Sequence, residues 1–213
     1  MDNIFEFYSD AAGSTFHTDE KKNRINLNKA GDKGVVCIGV QKNCFVWWWT
    51  KLIWPLTFLN EAKNAKGHYY GNNTDTLEAI GILLPFLCIP QKIKKSTLIF
   101  YIDNINVVIA WHSKRLKLNN SLSTILLTIQ ALACYLGCHV TLKFRPRIST
   151  KWAKLADDLS RFSTTTKYDI DLLTNAEYNF YTGIFLHWLK NPTETCPLPL
   201  LLLRELKNKN VKK

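Results

Sequence analysis

The spacing of hydrophobic and polar positions changes several times along the chain, and each change marks an element. From Asn3 to Tyr8 the alternation reads as a strand, which ends in Ser9-Asp10-Ala11-Ala12-Gly13-Ser14, where small residues and Gly signal a turn. An Asn- and Lys-rich stretch without a period runs on to about Lys33 and reads as an exposed insertion. Two β-rich runs, Val35–Gln41 and Cys44–Lys51, flank Lys42-Asn43 and predict a hairpin on a short connection. Val36, Ile38 and Val40 share one face of the first run. Trp47, Trp48 and Trp49 cannot all bury on one face of a regular strand, so at least one is expected over a neighbouring segment or on a binding surface.

After a polar loop over Asn60–Asn73 the period becomes helical. Leu77, Ile80, Leu84 and Leu87 fall on one stripe from Asp75 onward, with Pro85 and Pro90 expected to limit its length. Ser96–Ile102 is a short apolar run closed by Asp103-Asn104, the pattern of a strand buried on both faces. Helical segments follow at Asn106–Arg115 and Ser121–Leu136, the second with Leu122, Ile125, Leu126, Ile129 and Leu132 on one stripe. His139–Phe144 alternates as a strand, and a last helix runs through Trp152–Arg161. The order β, β, β, α, β, α, α, β, α predicts an α/β layered domain over residues 1–162. Residues 163–213 read as a partly helical extension with a Leu-rich segment and a basic tail.

Composition narrows the function. Of 213 residues 46% are hydrophobic, enough for one substantial core and too many for a disordered chain. The densest apolar runs, around Ile80–Ile89 and Leu198–Leu203, are interrupted by Pro or short of the roughly 18–20 residues a bilayer span needs, so no membrane partner is expected. No secretory signal opens the chain, and the six Cys lie mostly in apolar stretches, which fits buried, reduced thiols and an intracellular protein. Cys134 and Cys138, with His139, have no second pair nearby and are expected to be buried thiols.

The formal net charge of +11 points to an anionic partner, most economically a nucleic acid. The tail from Arg204 to Lys213 carries +4 of it, which leaves +7 on the other 203 residues. Basic clusters recur at Lys92/Lys94/Lys95, at Lys114/Arg115/Lys117 and across Lys143, Arg145, Arg147, Lys151 and Lys154. Such recurrence suits a surface that tracks phosphates.

Acids stand at element boundaries within this basic chain. Asp10 ends the first strand, Glu78 lies in the first turn of the first helix, Asp103 ends the central strand, and Asp157-Asp158 begin the last helix. Carboxylates placed this way can converge at one end of a sheet, and hard divalent cations take such oxygen ligands. Each acid also has a local explanation: Asp10 and Asp103 as turn residues, Glu78 as half of a capping box with Asp75, Asp157 and Asp158 as first-turn acids favoured by the helix dipole.

The four segments Ser9-Asp10-Ala11, Thr74-Asp75-Thr76-Leu77-Glu78-Ala79, Tyr101-Ile102-Asp103-Asn104 and Ala156-Asp157-Asp158-Leu159-Ser160-Arg161 together resemble the ribonuclease H domains attached to retroelement reverse transcriptases. The Asp-Asn after the central strand and the closing Ala-Asp-x-Leu-Ser-Arg look most like the DIRS-like, tyrosine-recombinase-encoding group. The resemblance spans residues 3–162, and it implies a ribonuclease H-like fold: a mixed five-stranded sheet flanked by helices. It further implies cleavage of the RNA strand of an RNA·DNA hybrid with two Mg²⁺ ions, Mn²⁺ substituting, and a reverse transcriptase domain or polyprotein as context. Carried over by position, the catalytic and metal-binding acids are Asp10, Glu78, Asp103 and Asp157, with Asp158 the alternative to Asp157 because a helical wheel puts Asp157 opposite the apolar stripe. Lys114, Arg115, Lys117, Arg145, Arg147 and Lys151 are the expected nucleic-acid contacts. The chain departs from the family in one respect. The family's loop His, about nine residues before the closing Ala-Asp, is absent from Phe144-Arg145-Pro146-Arg147-Ile148, and arginine cannot exchange a proton near neutral pH. The departure leaves a second expectation open, a degenerate module of the same fold that binds nucleic acid or a protein without cutting.

Overall fold

A computed structural model describes residues 3–13, 34–41, 45–54, 74–113 and 121–161. The expected insertion after Gly13, the loop before Asn72, the cluster Lys114/Arg115/Lys117 and the extension over 163–213 lie outside the described residues.

The strands are β1 (Ile4–Ala11), β2 (Gly34–Gln41), β3 (Phe45–Ile53), β4 (Thr97–Ile102) and β5 (His139–Phe144). They form one five-stranded sheet in the order β3-β2-β1-β4-β5. β1, β2 and β3 pair antiparallel, whereas β1, β4 and β5 run parallel, so the sheet is mixed as expected. The helices are α1 (Thr74–Cys88), the short α2 (Pro90–Ile93), α3 (Ile105–Ser113), α4 (Ser121–Leu136) and α5 (Lys151–Arg161). α1, α3 and α4 pack together on one side of the sheet, and α5 contacts β1 and β2 from the other.

The two faces bury different chemistry because side chains alternate along each strand. Phe7, Val35, Cys37, Leu98, Phe100 and Ile102 meet the α1 and α4 stripes in the larger core. Phe7 and Phe100 stack there at 4.9 Å between ring centroids. Tyr8, Val36, Ile38, Val40 and Trp49 face the other way and pack on Ala156 of α5, which keeps the predicted Val36/Ile38/Val40 face.

Local sequence explains most boundaries. At the end of α4, Gly137 adopts φ 69°, a left-handed conformation that costs glycine little. The Cys138 N–H then donates to Ala133 O (2.8 Å) and the Gly137 N–H to Cys134 O (3.2 Å), a Schellman end that turns the chain into β5. Asn104 caps α3, its Oδ1 accepting from the N–H groups of Asn106 (3.0 Å) and Val107 (3.4 Å).

Four expectations are corrected. Pro85 lies inside α1 rather than ending it, and the Ile89 N–H still donates to Pro85 O at 2.9 Å. β4 is not buried on both faces: Leu98, Phe100 and Ile102 are buried, whereas Thr97, Ile99 and Tyr101 are half-buried. α5 begins at Lys151, where Thr150 Oγ1 accepts from the Ala153 N–H at 3.1 Å, so Asp157 and Asp158 lie in its middle and not at its dipole end. Cys134 is exposed, although Cys37 and Cys88 are buried thiols as expected.

Candidate active site

Parallel pairing brings the first two acids together. β1 and β4 run side by side with Ser9 opposite Ile102, so the next residue of each strand, Asp10 and Asp103, emerges at the same C-terminal sheet edge. Both side chains belong to the α5 side by alternation with Tyr8 and Tyr101. Glu78 arrives from α1 across the strand ends, where its Oε1 accepts from the Ala11 N–H at 3.1 Å. One carboxylate oxygen from each of Asp10, Glu78 and Asp103 lies within 4.8 Å of the others.

Asp157 is not part of that group. It faces the site from α5 through Arg147, whose Nε stands 3.0 Å from Asp157 Oδ1, while Arg161 Nε approaches the same oxygen at 2.6 Å. Asp158, the alternative, is exposed. The wheel through Trp152, Leu155 and Leu159 placed Asp157 away from the apolar stripe, and it is; that polar side is turned toward the acids.

Two residues organise the site that sequence reasoning did not assign to it. Ser160, fully buried, donates its hydroxyl toward Asp10 Oδ2 at 2.5 Å, with Asp157 O as a second acceptor at 2.9 Å. Arg147, expected to hold phosphate, instead folds its guanidinium among the carboxylates. Its Nη2 is 2.8 Å from Asp103 Oδ2 and 3.4 Å from Asp10 Oδ1, and its Nε donates to Asp103 Oδ2 at 2.9 Å. Ser160 was visible only as a letter of the closing motif. Arg147 stands nine residues before Ala156, where the family's His was sought, and that coincidence was the available signal.

Burial and mutual repulsion set the protonation of the acids. Burial pushes the Asp10 carboxyl up to about 6; the Ser160 hydrogen bond opposes this, Asp103 and Asp157 add to it, and Arg147 opposes it. Burial also raises Glu78 well above the usual carboxylate range, reinforced by Asp10 and Asp103 and countered by the Ala11 N–H and Arg147. Burial lowers Arg147, but Asp10, Asp103 and Asp157 outweigh it, so its guanidinium is held more firmly charged than usual.

The donor set suits a hard divalent cation. All ligand candidates are carboxylate oxygens, and Glu78 Oε2 is a buried acceptor with no hydrogen-bond partner among the described residues. A buried acceptor left unpartnered is costly, and a cation would satisfy it. Asp10, Glu78 and Asp103 are the residues that would hold such an ion.

Cations and aromatic rings border the acids. Tyr8 and Tyr101 stack at 4.9 Å, and the Arg145 guanidinium lies 4.8 Å from the Tyr101 ring centre. Tyr8, Asp10, Tyr101, Asp103, Arg145 and Arg147 line a shallow open cleft. Lys143 Nζ is 5.9 Å from the Tyr101 ring centre, and Lys151 Nζ lies 4.3 Å over Trp152. Of the expected nucleic-acid contacts that are described, Arg145 thus borders the site, Lys151 stands on α5, and Arg147 is inside it. Cys138 donates its thiol to Ile93 O at 3.0 Å, and the acid group is the only cluster of potential metal ligands among the described residues.

Neither a protein-family model nor a curated protein matches this sequence. Solved structures with similar coordinates include LC11-RNase H1 in complex with an RNA/DNA hybrid, at 8% identity and a TM-score of 0.47, covering 73% of this chain and 92% of that one. An N-terminal ribonuclease H domain from Mycobacterium tuberculosis, fused to maltose-binding protein, gives 14% and 0.43 over 74% and 94%. RNase H1 from the halophilic archaeon Halobacterium salinarum NRC-1 gives 12% and 0.43 over 74% and 94%.

Proposed function

We propose that the chain is a ribonuclease H-type endonuclease from a retroelement or a gene derived from one, cutting the RNA strand of RNA·DNA hybrids. The observation that carries this reading is the convergence of Asp10, Glu78 and Asp103, from a strand end, a helix and a second strand end, at one edge of a mixed sheet. Each acid had a separate local explanation in the sequence, and none of those explanations requires the three to meet. Two Mg²⁺ ions held by these acids and Asp157, as the sequence resemblance implies, would supply a polarised water and positive charge for the leaving oxygen.

The chain's own residues contribute the rest. Ser160 fixes one Asp10 oxygen and leaves the other, Oδ1, turned toward Arg147. Asn104 donates to Asp75 Oδ1 at 2.8 Å, which ties the start of α3 to the first turn of α1 and so holds Asp103 in register with Glu78. Arg145, which lines the cleft, and Lys151, at the start of α5, would take phosphates of the duplex. Changing Asp103→Asn should abolish Mg²⁺-dependent cleavage of an RNA·DNA hybrid while circular dichroism and melting show an intact fold; a variant that cuts as fast as the parent refutes the reading.

One observation favours a second reading, a module of this fold that binds without cutting. Arg147 already pairs with Asp10, Asp103 and Asp157, and no His occupies the loop. Calorimetric titration with Mn²⁺ separates the two, since a dead module shows no uptake that Asp103→Asn removes.

A further inference from the structure

Arg147 makes ion pairs with three different carboxylates, Asp10, Asp103 and Asp157, at 3.4, 2.8 and 3.0 Å. The oxygens it holds on Asp10 and Asp103 belong to two of the three acids that form the candidate metal cluster. A divalent ion on those carboxylates would sit a few ångströms from a guanidinium that cannot shed its charge, so the two cations repel at short range in a partly buried site. The third acid of the cluster behaves differently. Glu78 is not among the ion-pair partners of Arg147, and its Oε2 stays buried without a hydrogen-bond partner among the described residues. The arginine therefore compensates the site incompletely and leaves a buried carboxylate oxygen that a metal ion on the same cluster would satisfy.

We infer that Arg147 is a resident counter-cation that divalent metal must displace, so that metal binding and the Arg147 ion pairs are mutually exclusive. This rests on the metal-binding reading above. The residue is built for release: it lies on the segment between β5 and α5, and its side chain is 41% exposed while those of Asp10, Asp103 and Asp157 are 4%, 17% and 17% exposed. Arg161 continues to pair with Asp157 when Arg147 leaves, so that acid does not lose its only cation. Displacement moves a permanently charged guanidinium from the acids to the rim of the cleft, next to Arg145, where a phosphate can take it up.

The experiment is calorimetric titration of the full chain with MnCl₂, in the parent, Arg147→Ala, Arg147→Gln and the parent carrying Asp103→Asn, with melting of each in chelator and in Mn²⁺. Both Arg147 variants should bind Mn²⁺ at least about tenfold more tightly than the parent, a change of about 1.4 kcal/mol. In chelator both should melt below the parent, and Mn²⁺ should raise their melting temperatures more than it raises the parent's. Gln is uncharged but fills more of the space than Ala and keeps a hydrogen-bonding amide, so agreement between the variants assigns the effect to charge rather than to a vacated space. Equal or weaker Mn²⁺ binding in folded Arg147 variants, with uptake that Asp103→Asn still abolishes, overturns the inference and leaves the metal site standing. Absence of carboxylate-dependent uptake in the parent and in both variants overturns the metal site and the inference together.

Discussion

Asp10 gives the stability of this fold one pH-dependent contribution. Its carboxyl is raised from 3.8 to about 6, mainly because burial disfavours its charge. Between those values the native chain keeps a proton that the unfolded chain has released, so this residue's stabilising contribution is complete below about pH 4 and is lost as pH rises through 6. Asp10→Asn removes the charge and keeps an oxygen to accept from Ser160. The variant should be more stable than the parent at pH 7.5 and metal-free, by about 1–3 kcal/mol, and its stability should change less between pH 4 and 7. Thermal melts across that range check this, and a lower melting temperature for the variant at pH 7.5 would show that Arg147 more than compensates the charge. Asp10, Glu78 and Asp103 were legible in the sequence because each lies at or near the end of an element and therefore beside a pattern break. Arg147 was not legible as their partner, because its contacts to Asp103 and Asp10 cross 44 and 137 residues and exist only once the parallel strands have paired.

At the scale of elements, the position of Glu78 depends on how closely α1 lies on the sheet. Gly81, one turn further along the helix, permits that approach: a Cβ there would fall 1.9 Å from Ser9 Oγ and 2.8 Å from Val35 Cγ2. Gly81→Ala must push α1 away from β1 and β2, at a cost of about 1–3 kcal/mol. Because Ser9 precedes Asp10 and Gly81 follows Glu78 on the same interface, the variant should weaken Mn²⁺ binding as well as lower the melting temperature, and Ser9→Gly should restore part of both. Loss of stability with unchanged Mn²⁺ affinity would show that the acids adjust independently of the helix. The same level shows where pattern reading stopped. The tryptophan run was expected to send one ring over a neighbour, and it does so through a bulge: Gly39 pairs with Trp48 and Val40 with Val46, which leaves Trp47 as the extra residue, its ring lying over Gly39. Bulge and ring position depend on a partner strand, so the run of three indoles announced an irregularity without locating it. Spacing marked a single stripe of Leu77, Ile80, Leu84 and Leu87 on α1, yet every residue from Thr76 to Cys88 is buried, including Glu78.

For the whole molecule, the distribution of charge makes a prediction that holds whether or not the chain cuts. The chain carries a net charge of +11, and the acids of the site are partly neutralised from within by Arg147 and Arg161. A duplex approaching the metal-free protein therefore meets the outer cations first, and binding should be governed by release of counterions from its phosphates. Among the described residues no helix is long and apolar enough to cross a membrane. In chelator, where cleavage cannot obscure binding, the logarithm of the association constant for an RNA·DNA hybrid should fall linearly with the logarithm of salt concentration. Arg145→Ala and Lys151→Ala should each make that slope shallower by about one, with little dependence on duplex sequence. Arg147→Ala should leave the metal-free slope nearly unchanged, because in that state its charge is already taken up by carboxylates. If Arg147→Ala flattens the slope as much as Arg145→Ala does, the guanidinium is engaging phosphate without metal, and the acids are held by some cation other than the one that pairs with them here.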